Sequence, residues 1–177
     1  IICPRRNKLY SAIQDPISTM YWIRHQRISQ ETTTQIDWQA CEDNMKALQP
    51  NERQWITKHS SDECGTGVTL VKWKYQDDAK CPRCNQTEDT EHVLKCNGQG
   101  ASLIWNEHME HIESYLTEAH TDPLLAECIM TELRNWRSSA NCNPPHTHDH
   151  DVKQACQEQH NIGWYNFLQG LPSNKWK

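Results

Sequence analysis

Cys81, Cys84, His92 and Cys96 fall within one short stretch, CPRCNQTEDTEHVLKC. Two residues separate the first cysteines, and Pro82 between them fits a turn that aims two thiolates at one point. His92 and Cys96 are four apart, which on a helical turn puts their Cβ atoms about 5–6 Å apart on one face. Zinc takes four such ligands tetrahedrally, at about 2.3 Å to sulfur and about 2.0 Å to nitrogen, so both pairs can meet one ion. Three thiolates and an imidazole leave no position for a reacting water, which points to a structural zinc rather than a catalytic one. A redox Cys-x-x-Cys would need a strand-turn-helix context that the preceding YQDDAK does not supply. Zinc deaminases place His-x-Glu before their cysteines. Here His108-Met109-Glu110 and His111-Ile112-Glu113 come after them, Lys80 stands where that signature has Pro, and both histidines read as solvated.

Two other constellations carry weaker chemistry. His146, His148 and His150, with Cys142, are soft-metal ligand types, but no helical frame fixes them and a polar linker is the favoured reading. Lys72, Lys74, Lys80 and Arg83 interleave with Trp73 and Tyr75, the mixture of phosphate-directed charge and stacking surface used by binders of single-stranded nucleic acid. Asp77, Asp78, Glu88, Asp89 and Glu91 lie nearby and oppose it, so a solvated charged face competes as a reading. Gly65-Thr66-Gly67 lacks the Gly-Lys-Ser/Thr ending of a phosphate loop and reads as a turn. No paired-Asp strand motif or carboxylate set for two metal ions is visible, so an enzymatic role is not expected.

The elements that must hold these residues follow from apolar spacing. The 177 residues suit one sizeable core or two small ones, and with 36% hydrophobic residues and a single Phe the apolar load falls on eight tryptophans. The expected fold is mainly α: a helical module with a central Cys3His zinc knuckle and a short extended arm before it. Thr19 to Ile28 reads as a mixed helix. Trp38, Cys41, Met45 and Leu48 recur at steps of three and four behind Asp37, an N-cap, and a short helix follows from Glu52 to about His59. Val68 to Tyr75 is rich in strand formers after two glycines, which predicts the extended arm. Trp105, Met109, Ile112, Leu116 and Ala119 stripe a helix from Ser102 to about Ala119. Thr121 or Asp122 and Pro123 start another, with Leu125, Cys128 or Ile129, Leu133 and Trp136 facing the first across a short connection. Val152, Cys156, Gln159, Ile162 and Phe167 suggest a last helix, weakened at Gly163 and stopped at Gly170. The chain divides into a basic N-terminal segment (1–36), a helical zinc-knuckle domain (37–140), a His/Pro linker (141–150) and a C-terminal helix (151–177).

The net charge of −5 argues against a protein that coats nucleic acid wholesale. Residues 1–30 are a local exception, with Arg5, Arg6, Lys8, Arg24 and Arg27 against Asp15 alone. Nine cysteines form no even disulfide framework and no signal-type segment opens the chain, so an intracellular, reducing compartment, cytoplasmic or nuclear, is expected. No run reaches the roughly 18–20 apolar residues of a membrane helix, so no membrane association is expected.

The stretch KWKYQDDAKCPRCNQTEDTEHVLKC resembles the zinc-binding region downstream of reverse transcriptase in retrotransposon polyproteins. Its flanks, ITKHSSDECGTG, LIWNEHM and NIGWYNFLQG, are similar as well, over roughly Trp38 to Trp176. The resemblance implies Cys81, Cys84, His92 and Cys96 as metal ligands and a role in holding RNA or single-stranded DNA beside an enzyme that lies outside this chain. The competing expectation is a zinc-stapled scaffold for protein partners without nucleic acid contact.

Overall fold

The computed structural model describes residues 20, 21, 23, 24, 28–140 and 149–176. Of the helix expected from Thr19 to Ile28, Met20, Tyr21, Ile23 and Arg24 are helical, whereas Ile28, also described, is not. Arg5, Arg6, Lys8 and Arg27 lie outside the described residues, as do Cys142, His146 and His148.

Helix α1 (Trp38–Ala47) starts where the Asp37 side chain accepts from Ala40 N. Helix α2 (Pro50–Ser60) follows at once, with Pro50 in its first turn and a capping box between Gln49 and Glu52. Proline is tolerated there because its missing N–H has no partner in the first turn. Two short helices flank the cysteine cluster, α3 (Gly67–Lys72) and α4 (Thr90–Lys95). Then come α5 (Ala101–Glu118) and α6 (Pro123–Ser138), the latter capped by Asp122, whose carboxylate accepts from Leu124 N and Leu125 N. The chain ends in α7 (His150–Ile162) and α8 (Trp164–Leu168), with a last 3-10 turn at Asn174–Trp176. No strand forms among the described residues; isolated bridges join Ile36 to Ser173 and Lys80 to Thr87. None of the described helices is long and apolar enough to cross a membrane.

The extended arm expected from Val68 to Tyr75 is instead helix α3. Strand propensity loses there to a cap and two long-range ties: Thr66 Oγ1 accepts from Thr69 N, and the N–H groups of Gly67 and Val68 donate to the carboxylate and carbonyl of Glu88. Gly67 does not break the helix but opens it, because a Cβ there would lie 2.7 Å from the Ala79 carbonyl oxygen. The helix closes with Lys74 N donating to Val71 O and Tyr75 N to Leu70 O, the Schellman pattern, and Lys74 takes the left-handed position (φ 63°) that glycine usually fills.

The α5/α6 hairpin forms with the expected faces. Met109, Ile129 and Leu133 are buried, and Trp105, Ile112, Leu116, Leu125 and Trp136 pack around them. Trp164, Phe167, Leu168 and Trp176 complete this core from the chain's end. The single last helix becomes two, because Gly163 adopts φ 99° and turns the backbone between Ile162 and Trp164. Gly170 is also left-handed, after α8. A second cluster, Ile28, Ile36, Ile162 and Leu171, joins the two ends of the described chain. Gln159 is fully buried there, donating to Leu171 O and accepting from Ser173 N. Cys128 of α6 and Cys156 of α7 form a buried disulfide, a pairing that the cysteine count did not reveal.

Candidate metal centre

Each ligand is positioned by a short-range feature of its own segment. After Cys81 the chain folds back on itself, with Asn85 N donating to Cys81 O and Cys81 N to Gln86 O. Asn85 takes the left-handed conformation this reversal needs (φ 63°), which asparagine tolerates better than most side chains. On the other side, Asp89 caps α4 by accepting from His92 N, which fixes the first turn on which His92 stands. Cys96 is the residue that ends α4, its backbone turned out of the helix at ψ 127°.

These turns bring one ligand atom from each of Cys81, Cys84, His92 and Cys96 within 4.8 Å of one another, the only such grouping among the described residues. Cys81 Sγ and Cys96 Sγ are 3.8 Å apart, and Cys84 Sγ and His92 Nε2 are 3.2 Å apart. Around a tetrahedral zinc the bond lengths require about 3.8 Å between two sulfurs and roughly 3.5 Å between sulfur and nitrogen. These two separations are close to those values, and the four donors together form a group that could hold a metal ion. Cys81 and Cys96 are buried and Cys84 and His92 partly so, which encloses the site on most sides.

At Cys81 the surroundings favour thiolate over thiol. Burial alone would raise the Cys81 pKa, but the N–H groups of Arg83 and Cys84, with His92 and the Cys84 side chain, outweigh it and bring it down to about 7. Cys84 receives the Gln86 N–H, which lowers its pKa, yet burial and the neighbouring sulfurs of Cys81 and Cys96 leave it raised. Gly98 N donates to Cys96 Sγ at 3.3 Å. Backbone donors aimed at sulfur stabilise the negative charge that metal ligation requires.

The cluster is docked on the helical core through two cations that spacing did not single out. Lys95 Nζ lies 4.6 Å from the Trp136 ring centroid and pairs with Glu91. Arg137 donates to the Cys96 carbonyl at 3.1 Å and to Ser102 Oγ at 3.4 Å, with its guanidinium over the Trp105 ring. The only trace of this in the sequence is a basic residue late in α6, directly after Trp136 of the apolar stripe.

The proposed nucleic-acid residues are all exposed, namely Lys72, Trp73, Lys74, Tyr75, Lys80 and Arg83. Trp73 and Tyr75 form an edge-on pair with ring centroids 6.4 Å apart, 41% and 79% exposed, so Tyr75 offers most of its ring to solvent. Lys72 is ion-paired with Glu63 at 2.9 Å and Lys80 with Asp78 at 4.0 Å. Lys74 and Arg83 have no carboxylate partner among the described residues. His108 and His111 sit exposed on α5 with their rings 6.2 Å apart, and His150 is exposed beside Asp151. Neither place gathers a third ligand among the described residues. His59 and Cys64 stay apart from the cluster, His59 being buried against Trp55.

No protein-family model, no curated protein and no solved structure matches the chain.

Proposed function

We propose that the chain is a zinc-stapled module that binds single-stranded RNA or DNA beside its metal centre. Zinc held by Cys81, Cys84, His92 and Cys96 fixes the reversal that carries Arg83, and the C-terminal end of α3 presents Trp73, Lys74 and Tyr75. The exposed ring pair carries this reading, because an aromatic face left in solvent among cations is suited to stacking on a base while the cations take up phosphate. The likeness of the Cys/His stretch to the region downstream of reverse transcriptase supports an accessory role next to a polymerase supplied by another part of a longer protein. Metal analysis of protein purified without chelator, followed by oligonucleotide titration at low salt, tests both halves. Absence of zinc removes the first, and absence of binding the second.

A protein-binding scaffold is the second reading. It is favoured by Lys72 and Lys80 being already paired with acids, and by exposed apolar residues at Val93 on α4, within the cluster, and at Leu103 and Ile104 on α5 after it. Nucleic acid that fails to bind while the zinc remains would select it.

A further inference from the structure

A zinc ion with three thiolates and a neutral imidazole carries a net charge of −1, and burying that charge against a helical core costs free energy unless a cation lies close. Two of the thiolates, Cys81 and Cys96, are 3% exposed. A cation that hydrogen-bonds this backbone directly comes from far along the chain. Arg137 is half-buried, and its Nη2 donates to the carbonyl oxygen of Cys96 across 41 residues of sequence. Its guanidinium carbon lies 4.9 Å from the centroid of Trp105, and Nη2 also reaches Ser102 Oγ. The plane of the guanidinium is thus held by an aromatic ring and by α5 while its donors point at the ligand-bearing segment. Its Nε is buried with no hydrogen-bond partner, so its polar contacts are made by the far end of the guanidinium.

We propose that Arg137 is a positioning residue of the metal centre, fixing the Cys96 backbone and balancing the charge of the loaded site, so that metal affinity is set partly from helix α6. This inference rests on the zinc reading above. Two consequences separate it from ordinary core packing. The residue acts on the loaded state more than on the empty one, because the negative charge it balances is fully developed only when three thiolates are held together. Its effect also depends on charge and donor geometry, so lysine replaces it in part and a neutral side chain does not.

The test is competition for zinc between the full chain and a chromophoric chelator at fixed pH and salt, for the wild type, Arg137→Gln, Arg137→Lys and Arg134→Gln. Arg134 is exposed on the same helix, so its loss changes net charge without touching the cluster. Residues that orient metal ligands typically contribute 10–100-fold in affinity. Arg137→Gln is expected to weaken zinc binding by about that factor, Arg137→Lys to recover part of the loss, and Arg134→Gln to match the wild type. Thermal unfolding of the zinc-free chains should differ less between wild type and Arg137→Gln than unfolding of the loaded chains. If the wild type binds zinc and Arg137→Gln binds it equally well, the proposal is overturned. The same holds if Arg137→Gln lowers the stability of loaded and zinc-free chains alike. A wild type that takes up no zinc overturns the metal reading itself, and this inference with it.

Discussion

Gly98 passes so close to Arg83 that a Cβ on Gly98 would lie 2.5 Å from the Arg83 Cβ and 2.9 Å from its carbonyl carbon and oxygen. The two residues belong to the two halves of the metal centre, Arg83 between the first cysteines and Gly98 just after the last. Gly98 N also donates to Cys96 Sγ, so the absence of a side chain lets the second half close on the first. Gly98→Ala must push the halves apart at backbone atoms, which yield little. The expected cost is about 1–3 kcal/mol, the usual range for overpacking, together with weaker zinc retention against chelator. Unchanged stability and retention would show that the loops separate freely.

Protein prepared without chelator is expected to carry one zinc per chain, and Cys84→Ser or His92→Ala to carry less. Removing the metal should open the segment from Ala79 to Gly98, because binding and folding of such sites are coupled by roughly 10 kcal/mol or more in small zinc modules. The α5/α6 core uses none of the ligands, so most far-UV helical signal should persist. Elemental analysis with circular dichroism before and after chelation checks this, and loss of the whole helical signal would mean that the core depends on the metal.

Leu133 is fully buried at the centre of the main core, whereas Leu103 on α5 is 75% exposed. Leu133→Ala should cost about 2–5 kcal/mol through lost burial and the cavity left behind. Leu103→Ala should fall within about 0.5 kcal/mol of the wild type. Denaturant unfolding of the two variants, read as midpoints at constant slope, decides the matter, and similar losses for both would refute the arrangement of the hairpin.

Burial lowers the pKa of His59 below its ordinary value of 6.5, with the charge of Asp62 opposing the shift, and Nε2 is buried without a partner. Both folded and unfolded chains hold this histidine neutral above pH 6.5, so its contribution is fully present there. Below 6.5 the unfolded chain binds the proton first, and stability falls as the pH drops through the folded-state value. Stability measured at pH 7.5 and 5.5 should therefore drop more for the wild type than for His59→Gln at equal zinc loading. Equal drops would place the acid sensitivity elsewhere.

Lys72 is paired with Glu63 at 2.9 Å and Lys80 lies 4.0 Å from Asp78, so Lys74 and Arg83, which have no carboxylate partner among the described residues, are the cations most ready for phosphate. Each phosphate neutralised on a single strand contributes a slope of about 0.7 in log affinity against log salt, so two contacts predict about 1.4. Lys74 stands at a left-handed position where glycine carries no steric cost. Lys74→Gly is expected to stabilise the fold by about 0.5–1 kcal/mol while halving the salt slope. Tyr75→Ala should weaken oligonucleotide binding with the slope unchanged. Binding that survives both substitutions intact would rule out this face.

The Cys3His grouping and the hairpin were legible in the sequence because both are local. Cys81 and Cys84 are joined by one turn, His92 and Cys96 by one helical turn, and the stripes on α5 and α6 repeat at the helical period with Asp122 and Pro123 marking the second start. Tertiary structure decided what depends on residues far apart. Val68 to Tyr75 has the side chains of a strand, yet Glu88 supplies partners for the first N–H groups of a helix and Ala79 leaves room only for Gly67. Cys128 meets Cys156 because α7 packs on α6, and Gln159 finds its amide partners at Leu171 and Ser173, just before the chain's last turn. Arg137 reaches Cys96 only because the hairpin brings the end of α6 to the end of α4. Spacing constrains groups within a turn or two of each other, whereas a contact across 41 residues is fixed by which faces bury together, and that is settled by the packing of the whole core.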